Sequence, residues 1–173
     1  MQKIFEGNRG EIYLVDYYGK KAVLKRLKRG KPNTIKKEIE FLRYLEPFGF
    51  TPKLYDYGKD YVVMEYIEGE PLKRAIKRAP KKALRLGLEV CYKLDRAKVY
   101  HRELGRYYHF LYDSAMKRVW VIDFERAIWS EHPRNVLQFV GFYLRDRDTT
   151  EAVKLYKRHP KEGLQALLEV VGV

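Results

Sequence analysis

Strand-like patterns fill the first third of this chain and helix-like patterns fill most of the rest, with one helical stretch set inside the strand group. That order constrains the fold more than any other feature, and it argues for an α+β architecture with two lobes. Glu11 to Tyr17 and Lys21 to Leu27 read as strands around Tyr18-Gly19-Lys20, a hairpin-like turn with glycine at its centre. Pro32-Asn33-Thr34 then starts a helix whose apolar positions Ile35, Ile39, Leu42 and Leu45 fall at helical spacing. Two more strands, Lys53 to Tyr57 and Tyr61 to Tyr66, join around Gly58-Lys59-Asp60. After Glu68-Gly69-Glu70-Pro71 the pattern is helical from about Leu72 to Val99, interrupted near Pro80. Further helices are expected over Asn135 to Leu144, Glu151 to Tyr156 and Glu162 to Val171. A length of 173 residues suits one domain, or two small lobes sharing a core.

One strand breaks into the helical half. Val119-Trp120-Val121-Ile122 is a β-branched and aromatic run that delivers Asp123 to its end, followed by Phe124-Glu125. Upstream, a loop opens with His101-Arg102-Glu103. Phosphoryl transfer needs such a pair, one carboxylate to hold Mg²⁺ on the phosphates and another beside the attacking hydroxyl. On these residues alone, a buried strand ending in a solvated aspartate is an equal reading. Gly7-Asn8-Arg9-Gly10-Glu11-Ile12 adds two glycines that let backbone N–H groups approach phosphates, although a simple turn is the commoner meaning. Lys25 projects from the apolar strand Ala22-Val23-Leu24 and needs a partner, because a lone buried ammonium is costly. Glu38 can supply it from the inner helix face; Glu40 is the alternative, disfavoured by the Ile39/Leu42 spacing.

Charge points to the partner. The net charge of +13 fits a polyanion such as RNA, and it exceeds what ion pairing on a charged surface requires. Lys73, Arg74, Lys77, Arg78, Lys81, Lys82 and Arg85 form a cationic belt with no acid inside it. Arg102 and Arg106, with Tyr107 and Tyr108, bring cations and stacking aromatics beside Glu103, a mixture usual in RNA binding. The high share of charged residues (34%) and the scarcity of Asn and Gln fit a thermophile. Cys91 is expected to be a packed small hydrophobe. No signal-peptide core and no apolar run of membrane-spanning length is visible, so a cytoplasmic protein without membrane contact is expected.

Taken in order, Gly7-x-x-Gly10-x-Ile12, Val23-Leu24-Lys25, Glu38, Met64-Glu65-Tyr66, His101-Arg102-Glu103 and Asp123-Phe124-Glu125 resemble a protein-kinase fold over nearly the whole chain. The resemblance implies a minimal bilobal fold. Residues 1–66 would form an N-lobe, an antiparallel sheet plus one helix, and residues 67–173 a reduced, mainly helical C-lobe. It implies that Gly7, Gly10 and Ile12 line the nucleotide, that Lys25 holds the α- and β-phosphates, and that Glu38 orients Lys25. Asp123 would bind Mg²⁺, while Glu65 and Ile67 offer backbone groups to the adenine beside Met64.

The departures are specific. The catalytic aspartate of kinases is Glu103 here, the metal-binding asparagine would be Tyr108, and the glycine after Asp-Phe is Glu125. No Ala-Pro-Glu signature follows Asp123. The short chain resembles RIO and Bud32-type atypical kinases, and His109-Phe110-Leu111 is similar to a segment of lipopolysaccharide kinases. His101-Arg102-Glu103-Leu104 and Ile122-Asp123-Phe124-Glu125-Arg126-Ala127 resemble a compact archaeal kinase group that includes a tRNA kinase. Its acceptor is a ribose 2′-hydroxyl, at a uridine in the variable-loop region, position 47.

The resemblance therefore implies a Mg²⁺-dependent enzyme that moves the γ-phosphate of ATP, or of GTP, to tRNA, with Glu103, Lys25 and Asp123 as its catalytic residues. An atypical serine/threonine protein kinase and a pseudokinase binding RNA or nucleotide are the competing readings. For His109 three roles stand open: a metal ligand beside Asp123, a phosphate or loop contact, and a packing histidine. The oligomeric state is not legible.

Overall fold

The computed structural model describes residues 1–7 and 10–172, and their contacts group into two compact units. Met1–Glu68 and Trp120–Ala127 form the first; Gly69–Val119 and Ile128–Val173 form the second.

The first unit is an antiparallel sheet with one helix. Strands β1 (Gln2–Glu6), β2 (Gly10–Tyr17), β3 (Lys20–Leu27), β4 (Leu54–Tyr57) and β5 (Tyr61–Glu65) lie in the order β1-β2-β3-β5-β4. Tyr17 pairs with Lys20, so the hairpin turns on two residues, Tyr18 and Gly19, both at positive φ (51° and 84°). That is the geometry whose twist matches the flanking strands. Helix α1 (Ile35–Leu45) follows. Asn33 starts it, its side-chain oxygen accepting the Lys36 N–H at 3.1 Å. The buried face of α1 is Ile35, Glu38, Phe41, Leu42 and Leu45, so a carboxylate faces inward among apolar side chains, and Ile39 sits at the margin.

In the second unit, β6 (Glu70–Pro71) leads into α2 (Leu72–Arg78) and α3 (Pro80–Arg96). Ala79 breaks the helical path, and Pro80 begins α3 where its missing N–H costs nothing. Next come β7 (Val99–Tyr100) and β8 (Phe110–Tyr112), which pairs antiparallel with β6. Strand β9 (Val119–Val121) carries the chain into the 120–127 segment. That segment belongs with the N-terminal sheet, pinned where the Val121 N–H donates to Phe50 at 2.9 Å. Strand β10 (Ile128–Trp129) pairs with β7, and α4 (Asn135–Tyr143), α5 (Thr150–Arg158) and α6 (Pro160–Val171) follow. The core of the second unit holds Leu72, Leu88, Leu94, Phe110 and Phe139, all fully buried. Cys91 is buried with them, and burial pushes its thiol up. Among the described residues no helix is long and apolar enough to cross a membrane.

Candidate functional site

In the first unit the chemistry gathers around Lys25. Strand β3 places it opposite Ile12 of β2, and its ammonium meets Glu38 Oε1 at 2.5 Å. The other oxygen of Glu38, whose side chain is fully buried, accepts the Phe124 N–H at 2.5 Å. One carboxylate thus ties the sheet lysine to the backbone just after Asp123. Of the two candidate acids on α1, Glu38 takes the lysine. Asp123 and Glu125 each bring an oxygen to 3.8 Å from the same ammonium. Burial alone would lower the Lys25 pKa; the carboxylates of Glu38, Asp123 and Glu125 more than reverse this and hold it raised. Lys25 is charged at any physiological pH.

Asp123 adopts a left-handed backbone, φ 68°, which turns the chain sharply at the end of β9. A non-glycine residue there costs on the order of 1–3 kcal/mol and persists only when its surroundings enforce it. The Glu38 to Phe124 bond is part of that enforcement. Asp123 and Glu125 are about a quarter exposed and present oxygen donors, the kind Mg²⁺ prefers. Among the described residues no group of three or more His, Cys, Asp or Glu could hold a metal unaided. One or two carboxylates completed by phosphates and water is the usual Mg²⁺ arrangement, and these residues fit it.

Met64 and Glu65 close β5, and Tyr66 and Ile67 follow it. Met64 is buried, and Glu65 exchanges bonds with Lys53: its N–H donates to the Lys53 carbonyl at 2.8 Å, and its Oε1 accepts the Lys53 N–H at 3.1 Å. Tyr66 donates to Lys21, and Ile67 is buried. The Gly7 N–H donates to the Gly10 carbonyl at 2.9 Å. A Cβ at Gly10 would meet the Arg26 carbonyl oxygen at 2.7 Å, so packing against β3 by itself requires glycine there. Asn8 and Arg9 lie outside the described residues.

In the second unit a chain of hydrogen bonds fixes Glu103. Asp95, near the end of α3, accepts the backbone and side-chain N–H groups of Asn135 at 2.9 and 2.8 Å and the Tyr156 hydroxyl at 2.6 Å. Asn135 in turn accepts the His101 N–H at 3.0 Å. His101 Nδ1 accepts the Glu103 N–H at 3.1 Å, which puts its proton on Nε2. On the far side, His109 Nδ1 lies 2.9 Å from the Glu103 carbonyl, which can only accept, so this nitrogen carries a proton. The two imidazoles clamp both backbone groups of Glu103. Of the roles open for His109, loop bracing is the one its geometry serves. The Glu103 side chain is largely buried and faces Arg106 Nη1 at 3.4 Å.

Two cations of the belt pair with acids. Arg78 makes a two-point contact with Glu70, Nε at 2.9 Å and Nη2 at 2.7 Å, and Arg85 pairs with Glu89 at 2.9 Å. Arg106 is drawn to Glu103. Lys73, Arg74, Lys77, Lys81 and Lys82 are exposed along α2 and the start of α3, and Arg102 is exposed beside Glu103. Asp95, Asn135 and Glu125 were not among the expected site residues. Of these, only Glu125 carries a sequence signal, an acid where kinases have glycine.

The family model described as the RIO domain matches residues 15–164. No curated protein matches the chain.

Proposed function

The chain belongs to the RIO-domain family of atypical, protein-kinase-like phosphotransferases, and we propose that it transfers the γ-phosphate of ATP to a ribose 2′-hydroxyl of tRNA. The acceptor we infer is a uridine in the variable-loop region, position 47. The observation that carries the phosphotransferase part is the Glu38 carboxylate, which holds Lys25 with one oxygen and the Phe124 N–H with the other. A lysine kept charged and fixed is what a nucleotide phosphate needs, and RIO domains generally use ATP with Mg²⁺.

In this reading Lys25 engages the α- and β-phosphates while Glu38 holds it in place. Asp123, with Glu125 beside it, would hold Mg²⁺, which supplies charge neutralisation on the phosphates. Glu103 orients the acceptor hydroxyl and takes its proton late, since a loose transition state asks little of a base. The longer glutamate arm shifts the carboxylate by about one C–C bond relative to aspartate, roughly 1.5 Å. A rigid, doubly clamped backbone is what allows a shifted carboxylate to be placed reproducibly.

RNA as the acceptor is supported by the exposed cations of α2 and α3 and by the aromatic and basic loop at Glu103. A protein acceptor is the reading that the family match itself favours, so the test must offer both. The protein is incubated with γ-labelled ATP, Mg²⁺ and either bulk tRNA or cell protein. Label on tRNA, lost when the acceptor ribose is 2′-O-methylated, supports the proposal. Label on serine or threonine with tRNA unmodified replaces it by a protein kinase. No transfer to either, with nucleotide still bound, leaves a pseudokinase.

A further inference from the structure

We propose that Tyr108 is a stacking platform for an unpaired nucleotide of the RNA substrate, so that the acceptor enters as an extruded base rather than as part of a duplex. The inference rests on the RNA reading above and names the class of RNA it requires. Tyr108 stands where kinases place a metal-binding asparagine, yet its side chain is not withdrawn into the core: it is 47% exposed. It sits in a short 3-10 turn, Tyr107–His109, directly after the Glu103 loop. The loop that carries it also carries the proposed acceptor carboxylate, Glu103, and its ring leaves a face open to solvent on which a base can stack.

The platform is held still on two sides. The Tyr108 ring meets the His109 ring edge-to-face at 4.9 Å between centroids, and the Tyr107 ring edge-to-face at 5.5 Å. His109 is bonded to the Glu103 carbonyl, so the position of Tyr108 is indexed to that of Glu103 through one buried side chain. Tyr107 is held from α2, where the Lys73 ammonium lies over its ring at 5.6 Å. A half-exposed ring on the same loop as an acid whose backbone is clamped, with exposed arginines on that loop, suits a nucleotide: base on the ring, sugar toward the acid, phosphates toward the cations. A base inside a helix has no free face to stack with, and its ribose hydroxyl is presented only along the minor groove. An aromatic platform therefore selects a base that has left its helix.

The test uses two RNA hairpins of equal length and charge, one with a single unpaired 2-aminopurine ribonucleotide and one with it paired. Binding to the wild-type protein, Tyr108→Phe and Tyr108→Ala is followed by anisotropy, and stacking by quenching of the 2-aminopurine emission. The expected result is quenching and preference for the unpaired probe in the wild type and Tyr108→Phe. In Tyr108→Ala both should be lost, with affinity about 5- to 150-fold lower, the range for one base stacked on one aromatic side chain. The salt dependence of binding should be unchanged, because no phosphate contact is removed. Equal affinity for the two probes, or a Tyr108→Ala protein that still quenches, overturns the platform. If RNA is phosphorylated in those cases, the RNA-kinase reading stands without it. Quenching in the absence of transfer to any RNA keeps the platform and removes the kinase reading. No binding to either probe overturns both.

Discussion

Replacing Glu125 tests whether the acid found where kinases have glycine tunes nucleotide binding. One ammonium, Lys25, is surrounded by three carboxylates, with Glu125 at 3.8 Å. A phosphate that approaches Lys25 from the side of Glu125 comes within a similar distance of that carboxylate. Two like charges about 4–5 Å apart repel by about 1 kcal/mol in bulk water and by about 3–4 kcal/mol at an effective dielectric of 20. Glu125 is 27% exposed, so solvent screening places the penalty near the lower end, about 1–2 kcal/mol. A divalent cation among these carboxylates cancels most of it. Glu125→Gln is therefore expected to tighten ATP binding in EDTA by about 5- to 30-fold, the same energy expressed as a ratio. With saturating Mg²⁺ the affinity should stay within about threefold of the parent or weaken. Calorimetric titration of ATP into both proteins, with EDTA and with Mg²⁺, gives the four constants. An unchanged metal-free Kd, or the same tightening in both conditions, would show that Glu125 does not oppose the phosphates through Lys25.

Lys25→Met should abolish transfer and also cost about 3–5 kcal/mol of stability, because it strands the fully buried Glu38 carboxylate without its cation; Asp123→Asn, which tolerates the left-handed backbone, should abolish transfer with a near-parental melting temperature, and a fully active Asp123→Asn protein would refute the site. His109→Asn can still donate to the Glu103 carbonyl and should retain most activity, whereas His109→Phe should lower kcat about tenfold or more with little change in the KM for ATP; equal activity of the two variants would remove the clamp from the mechanism. Asp95→Asn turns an amide toward groups that all donate to Asp95, and urea melts should show a loss of about 2–4 kcal/mol. Burial raises the Asp95 pKa against the lowering effect of those bonds, so the folded protein holds a proton longer than the unfolded chain. The part of the stability linked to that proton is thus fully present below the unfolded value of about 3.9 and is lost as pH rises through the folded one. The stability gap between parent and Asp95→Asn should shrink as pH rises, and a gap that widens with pH contradicts the assignment.

What could be read from the sequence was whatever a local pattern had to explain. A lysine on an apolar strand demands a counter-ion, and helical spacing put Glu38 within its reach. The run Val119 to Ile122 could only be a strand, and its acid had to follow. Strand β1 was not legible, because Ile4 and Phe5 are adjacent, all five residues are exposed, and a bulge interrupts the pairing with β2. Strands of two or three residues such as β6, β7, β8 and β10 carry no period at all. Asp95 looks like a surface charge in the last turns of an amphipathic helix until Asn135 and Tyr156, 40 and 61 residues away in sequence, meet it. Two cations of the belt have acidic neighbours, only one of which a local pattern could show: Glu89 lies one helical turn from Arg85, but Glu70 reaches Arg78 only because β6 runs into α2.

The substitution of glutamate for the catalytic aspartate looks at first like decay, and the surroundings of Glu103 argue against that. A loop without a task relaxes toward ordinary backbone geometry and solvated side chains. Here Arg102 holds a left-handed φ, 77°, at a cost on the order of 1–3 kcal/mol. Two buried histidines are each committed to one backbone group of a single residue, and a buried Asp95–Asn135 pair supports the first of them. None of these groups adds apolar burial, and each must be desolvated to sit where it does. In a domain this small, such an arrangement is intelligible if the position of Glu103 matters to within a fraction of an ångström. Placement on that scale is what a proton acceptor at a reacting hydroxyl requires, and what nucleotide or RNA binding alone does not.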